Sequence, residues 1–399
     1  MSPRLLTVFF AATLLTGVCV PTLASAEPFA YVTYRDKVAV VNLATSSIVT
    51  TVPIGGMPSG AAVTPNGRHV YVAQPSGNTI SVINTASNTV VATVAVGTQP
   101  VSVAVSPDGS RAYVVNHGSS NISVINTATN TVAATVSVGS GPGKLAVSPD
   151  GSRVYVANIV PDTVSVINTA TNTVAATIAV GSDPYAVALS PDGARAYVAN
   201  ALSGTVSVIN TATHSVVGTV TVGSFPDTVA ISRDGSRVYV TNQHAGTVSV
   251  IDTMNNSIAA TIAVGSSATG VALSPDGAYA YVSNYDSNTV SVIDLATNTF
   301  IGTVTLDGDV PQGIAIQYSG FSVSALRAAG VSAETLFNAG VSLSELQAGG
   351  YTSGELAGLG GGSGGGGSAA TAVPTLPAWV MLLLTAVFAA MVFRTPRHA

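Results

Sequence analysis

Tyr-Val pairs begin at Tyr31, Tyr71, Tyr113, Tyr155, Tyr197, Tyr239 and Tyr281; the first step is 40 residues and the next five are 42. A period of this length with four strand-like runs per unit means propeller blades. One such unit cannot bury its own apolar faces and must stack on neighbours. The repeat overrides what length suggests, since 399 residues would otherwise read as two or three domains.

One unit shows the pattern. Residues 101–105 are a short apolar run, read as a first strand. Ser106-Pro107-Asp108-Gly109 is a turn in which Pro presets φ and Gly accepts a positive φ. Residues 112–115, 122–126 and 131–138 supply three more strands, separated by a loop at 117–121 and a polar turn at 127–130. Val, Ile, Thr and Tyr dominate, which suits pleated surfaces. The runs are apolar at nearly every position, as expected where neighbouring blades cover both faces of each sheet. The first-strand type starts only at residues 61–63, and its seventh copy falls at 313–316. The N-terminal blade therefore lacks its own first strand, and the C-terminal stretch is expected to supply it. The expected fold is all-β: a seven-bladed propeller of four-stranded blades over residues 27–317, closed by pairing of N- and C-terminal strands.

The repeat resembles the YVTN (YNCE-like) family of β-propellers. The naming motif stands literally at Tyr239-Val240-Thr241-Asn242, with variants at Tyr155-Val156-Ala157-Asn158, Tyr197-Val198-Ala199-Asn200 and Tyr281-Val282-Ser283-Asn284. The Ser-Pro-Asp-Gly and Asn-Thr-Ala-Thr-Asn turns fit as well. The resemblance implies a surface binding or scaffold module with no common catalytic residues. A WD40 chain is excluded, because the one Trp is Trp379, far from the blades.

Only 8% of residues are charged, and the lysines are Lys37 and Lys144 alone. Nucleic acid is an unfitting partner for a chain with net charge −5 and no basic footprint. Residues 1–26 read as a secretory signal: basic Arg4, an apolar stretch at 5–20, and a small-residue cleavage site at Ala24-Ser25-Ala26. The single cysteine, Cys19, lies inside it, so a mature chain has no disulfide and no thiol chemistry. At the other end, residues 358–372 form a Gly/Ser-rich linker. Residues 378–393 are an apolar run expected to form a transmembrane helix, and the following Arg394 and Arg397 favour a cytoplasmic C-terminus. Val373-Pro374-Thr375-Leu376, Trp379, the apolar run and Arg394 together resemble an IPTL-CTERM sorting signal over residues 373–399. That resemblance implies an exosortase-like membrane sorting enzyme as a partner and a Gram-negative envelope as the address. A plain C-terminal anchor is the alternative.

Between propeller and linker, residues 321–357 repeat every ten, with Leu326, Leu336, Leu346 and Leu356 aligned. Ser342-x-x-Glu345 and Thr352-x-x-Glu355 are capping boxes, so each unit reads as a short helix. Helices this short need packing partners.

Comparing the blades with one another separates scaffold from specificity. The Pro-Asp-Gly and Asn-Thr-Ala-Thr-Asn turns repeat almost unchanged and share one face by strand alternation. Asp108, Asp150, Asp192 and Asp234 recur there with Arg111, Arg153, Arg195 and Arg237, as solvated turn charges. The opposite face carries the irregular loops. Gln99, Asp183, Tyr185, Phe225 and Asp227 stand out between fourth and first strands. His117, His244, Tyr285 and Asp286 stand out between second and third strands. Met57, Lys144 and Gln312 belong to the first loop group and Gln74 to the second. A constant scaffold with variable loops binds through the loops, and this mixture suits a polysaccharide or a protein surface.

Catalytic readings are weaker. Glu is absent from residues 29–317, there is no Cys-x-x-Cys-His haem motif, and no Ser/His/Asp context is defensible. Gly139-Ser140-Gly141-Pro142-Gly143-Lys144 imitates a phosphate loop, but Leu145 stands where Ser or Thr is needed. No cofactor, metal or catalytic residue is expected. The expected function is non-catalytic binding at the envelope through the variable face. The alternatives are a structural matrix component and a lactonase-like or lyase-like hydrolase.

Overall fold

The computed structural model describes residues 29–43, 45–274, 276–306, 310–317, 333, 346 and 351–356. Between Phe29 and Gln317 the chain forms seven four-stranded antiparallel sheets, the blades I to VII. In each blade the strands a, b, c and d run in order from the axis to the rim. In blade III they are Pro100–Val105, Arg111–Asn116, Asn121–Asn126 and Thr131–Ser137. The seven a strands touch one another in a closed ring.

Alternation along the strands explains their unbroken apolarity. In blade II, Tyr71, Ala73, Ile80 and Val82 face blade III and meet Val103, Ala112, Val114 and Ile125. Val70, Val72 and Ile83 point the other way, onto Tyr31, Val38 and Val40 of blade I. Each of the seven interfaces between blades holds one such layer. Each large side chain so buried contributes roughly 1.5–3 kcal/mol. The motif tyrosine adds a polar stitch. Tyr71 donates its hydroxyl to Asn130 Oδ1 of the next blade at 2.7 Å, and its burial pushes the phenol up to about 12.

The repeated turns account for themselves. In Asn-Thr-Ala-Thr-Asn the first Asn126 Oδ1 accepts from the Ala128 N–H at 2.9 Å. The last, Asn130, sits at φ 52°, which Asn tolerates. In Ser-Pro-Asp-Gly, Asp192 accepts from Ser190 Oγ at 2.5 Å and from the Ala194 N–H at 3.0 Å, and these bonds hold its carboxyl below the usual range. The turn charges are more engaged than solvated charges would be: Arg111 reaches across to the Thr169 carbonyl of blade IV at 2.6 Å.

Closure follows the strand count. Blade I takes strand a from Pro311–Ile316 and strands b, c and d from Phe29–Tyr34, Lys37–Asn42 and Ser47–Pro53. Ala30 stands opposite Ile316 and Val32 opposite Ile314. Thr33 Oγ1 accepts from the Gly313 N–H at 2.8 Å and donates to the Ser59 carbonyl at 2.6 Å. A Cβ at Gly313 would collide with that carbonyl, so the seam requires glycine here.

Outside the blades one helical turn, α1 (Ser353–Leu356), is described. Its capping box is formed: Glu355 Oε2 accepts from the Thr352 N–H at 2.6 Å and Thr352 Oγ1 accepts from the Glu355 N–H at 3.3 Å. The companion box at Ser342 and Glu345 lies outside the described residues. Among the described residues no helix is long and apolar enough to cross a membrane. The signal segment with Ala24 and Ala26, the linker, the sorting residues and the apolar run 378–393 all lie outside them.

The seam yields a prediction. A chain ending at Leu306 leaves Phe29–Tyr34 as an open inner edge and should melt at a markedly lower temperature, with aggregation, than the full chain. Equal melting of the two, followed by circular dichroism, would refute closure by strand pairing.

Candidate binding site at the channel mouth

The geometry of the variable face starts from a buried amide. Each b strand from blade II to VII ends on one: Gln74, Asn116, Asn158, Asn200, Asn242 and Asn284. Asn200 Nδ2 donates to Thr205 Oγ1 at 3.1 Å and to Ser207 Oγ at 2.9 Å, both on strand c. The d-to-a loop lies directly on this amide. A Cβ at Gly181 would stand 2.7 Å from Asn200 Cγ, and Gly97, Gly139, Gly223 and Gly265 meet their own asparagines in the same way. Gln74 does this work in blade II, accepting from Thr79 and Ser81 and donating to the Ile54 carbonyl. The structure thus corrects its placement among the variable loop residues: it is a buried strand end.

Two residues after that glycine the backbone turns left-handed, at Gln99 (φ 54°), Gly141 (59°), Asp183 (58°), Phe225 (56°) and Ser267 (55°). The carbonyl at this position accepts from the b-to-c loop, as in Asp183 O from the Ala201 N–H at 2.8 Å. A side chain here costs on the order of 1–3 kcal/mol against glycine. Four of these five blades nevertheless carry one.

Next comes a β-bulge at the start of strand a. In blade V, Pro184 pairs with Asn200 and Ala186 with Ala199, so Tyr185 has no partner. The same break leaves out Val101 in blade III, Gly143 and Lys144 in IV, Asp227 and Thr228 in VI, Thr269 in VII and Gln312 in I. Bulges re-aim side chains. These ones place differing side chains at the inner rim in six of the seven blades.

They converge. Lys144 Nζ lies 2.5 Å from Asp227 Oδ1, two blades away. It also donates to Thr228 Oγ1 and, at 3.2 Å, to the Thr269 carbonyl. It stands 5.2 Å from the Tyr185 ring centroid, a cation–π contact. Asp227 is only 5% exposed, and Lys144 is the cation set against it. The Asp227 carboxylate, then burial and Asp183, push the Tyr185 phenol well above its ordinary value. Beside the network a cavity of about 310 Å³ opens, lined by Lys144, Tyr185, Gln99, Gln312, Ser59 and Met57 among others. A second cavity of about 280 Å³ lies on the opposite face against Asp108, Arg111 and Asp150, residue types that recur from blade to blade.

The expected loop residues divide. Gln99 and Tyr185 line the mouth cavity, and Asp227 lies beneath it. Phe225 and His244 stack on each other, with centroids 4.4 Å apart and planes at 23°. His117 is turned to its neighbour, its Nδ1 3.0 Å from the Pro142 carbonyl. Asp183 has its carboxyl raised by burial and by Asp162. Asp286 accepts from Ser267 Oγ; Tyr285 is half-buried, its N–H on the Ser267 carbonyl. No group of three metal-ligating side chains occurs among the described residues.

The YNCE-like beta-propeller family model matches residues 98–195 and 149–224. Over residues 98–224 the repeat is similar to YNCE-like propellers. A second family model, the cytochrome D1 heme domain, matches residues 198–329. Among solved structures, the chain is similar to a functionally unknown protein from Desulfotomaculum acetoxidans, with TM-score 0.65 and 21% identity over 72% of this chain and 98% of that one. It is also similar to Kuenenia stuttgartiensis hydrazine synthase, with TM-score 0.61 and 22% identity over 66% of this chain and 90% of that one. These likenesses concern the fold. No curated protein matches.

No histidine lines the mouth cavity. His117 points to a backbone carbonyl and His244 to a phenyl ring. The recurrent blade arginines stand at the opposite, turn-bearing end of the b strands. Met57 and Tyr185 are the side chains of haem-ligating type at the mouth, and the Tyr185 ring is already packed against Lys144.

Lys144, Thr228 and Thr269 are what the search for eye-catching loop residues underrates. The signal is present: from blade to blade the residue after the strand opening changes every time (Ser59, Val101, Gly143, Tyr185, Asp227, Thr269, Gln312), while Ala stands three residues later in each. The network predicts that Lys144→Ala costs roughly 2 kcal/mol, since it strands a buried carboxylate. Adding Asp227→Ala should recover part of that loss in urea unfolding; simple additivity of the two would refute the coupling.

Proposed function

We propose that the protein is an exported, non-catalytic binding module that takes a neutral polysaccharide at the channel mouth. The observation that carries this reading is the bulge column, where side-chain chemistry changes across six blades while the frame around it stays constant. Binding through a variable patch on a rigid scaffold is the usual use of such an arrangement. The cavity offers amides at Gln99 and Gln312, a hydroxyl at Ser59 and an aromatic face at Tyr185. Its cation, Lys144, is already neutralised by Asp227. Amides, hydroxyls and an aromatic ring without net charge suit uncharged sugar hydroxyls and their apolar ring faces better than an acidic chain.

The heme-domain match favours a catalytic relative as a second reading, but no histidine lines the mouth among the described residues and the Tyr185 ring is already packed against Lys144. The signal segment, the ten-residue repeats and the sorting tail complete the proposal. They would export the propeller, hold it off the membrane, and deliver it to the envelope through an exosortase-like enzyme.

Titration calorimetry of the full chain against neutral and acidic oligosaccharides tests the binding claim. Neutral chains should bind, and Gln99→Ala with Gln312→Ala should weaken binding at least about tenfold, or 1.4 kcal/mol, at unchanged melting temperature. Binding confined to acidic chains, or unaffected by the substitutions, would contradict it.

A further inference from the structure

Seven outermost strands leave the rim of the disc unpaired. Strand d of each blade pairs with strand c on one side, and among the described residues no strand pairs with its outer edge. Such edges are usually blunted by lysine, proline or inward charge. Here none of the seven, from Ser47–Pro53 through Thr299–Thr305, contains a charged residue, and only the first contains a proline.

The strands are also apolar on the outside. Each c–d pair has a bulge at the third residue of strand d, as where Val82 faces Ala92 and Ile83 faces Val90, leaving Val91 between. The bulge turns two successive side chains outward. Val90 is 38% and Val91 53% exposed, and Val216 with Val217 and Phe300 with Ile301 repeat the arrangement. Most of the large exposed apolar side chains among the described residues belong to this belt. Beyond the bulge, four residues of regular strand remain in each blade, Ala92 to Ala95 in blade II, with one backbone edge open.

We infer that the rim is a self-association surface whose partner is a second copy of this chain. The argument is self-complementarity. An antiparallel edge-to-edge pair is isologous, so an edge of Thr, Val and Ala meets its own copy with both backbone donors and acceptors reciprocated. With no charge on either strand, no like-charge repulsion opposes the contact. A partner of opposite charge gains nothing there. Because each copy carries seven edges, association need not stop at a dimer, which builds layers of laterally joined discs. This surface is independent of the channel mouth.

Sedimentation velocity of the full chain over a wide concentration range is the test. Unaltered protein should show a sedimentation coefficient that rises with concentration. The quadruple variant Val49→Lys, Val91→Lys, Val217→Lys and Ile301→Lys should lose that dependence at unchanged melting temperature. Amide exchange on unaltered protein gives a second readout, with added protection of the d strands at high concentration. A chain that stays monomeric throughout overturns the inference. So does association that survives the four lysines, which would assign it to the C-terminal apolar segment or another surface.

Discussion

The amide that closes the b strand in blades III to VII is the constraint on which the variable face depends. It is buried, bonded to two hydroxyls of strand c, and covered by a glycine of the incoming loop. An unmade bond at such a group costs about 1–3 kcal/mol, and a Cβ on the glycine has no room. In blades III to VII the loop therefore enters strand a along one path, turns left-handed, and breaks register at the same place. That break, not the length or composition of the loops, sets the bulged residues at the inner rim. The motif asparagine is conspicuous in the sequence because it places residues that are not.

Around this frame, stability is distributed. Seven apolar layers between blades are each built from alternate faces of two sheets, and none is the core of the molecule. Such a ring is only as good as its seam, because an unpaired blade I would expose an inner edge and two apolar faces together. The pairing of Pro311–Ile316 with Phe29–Tyr34 joins residues at opposite ends of the propeller. A long-range contact of this kind pays a large loop-closure entropy before it is rewarded. Its place at the seam makes the whole ring cooperative.

The fold was legible because a period of 42 residues with turn chemistry at fixed offsets admits few architectures, and the missing first strand of blade I could be counted directly. The site was legible only in outline. Gln99 and Tyr185 fall where a variable loop residue should, at the mouth. Gln74 does not: without the asparagine column as guide, its amide looks like loop variation. Asp227 looks like an exposed acid, and burial with a lysine two blades distant is invisible to a reading that works along the chain. Lys144 falls in the variable loop group too, but its pairing with Asp227 is not readable from its place in a Gly-rich loop. Partners separated by two periods in sequence are neighbours here only because bulges bend both toward the axis.

The most direct test of the division between frame and site is a pair of melting curves. Gly181→Ala presses a methyl group onto Asn200 and should lower the melting temperature by several degrees, about what 1–3 kcal/mol produces in a chain of this size. Gln99→Ala, at the exposed left-handed position of blade III, removes a larger side chain from the mouth and should leave melting close to that of the unaltered protein. The reverse order, or equal loss from both, would contradict the account.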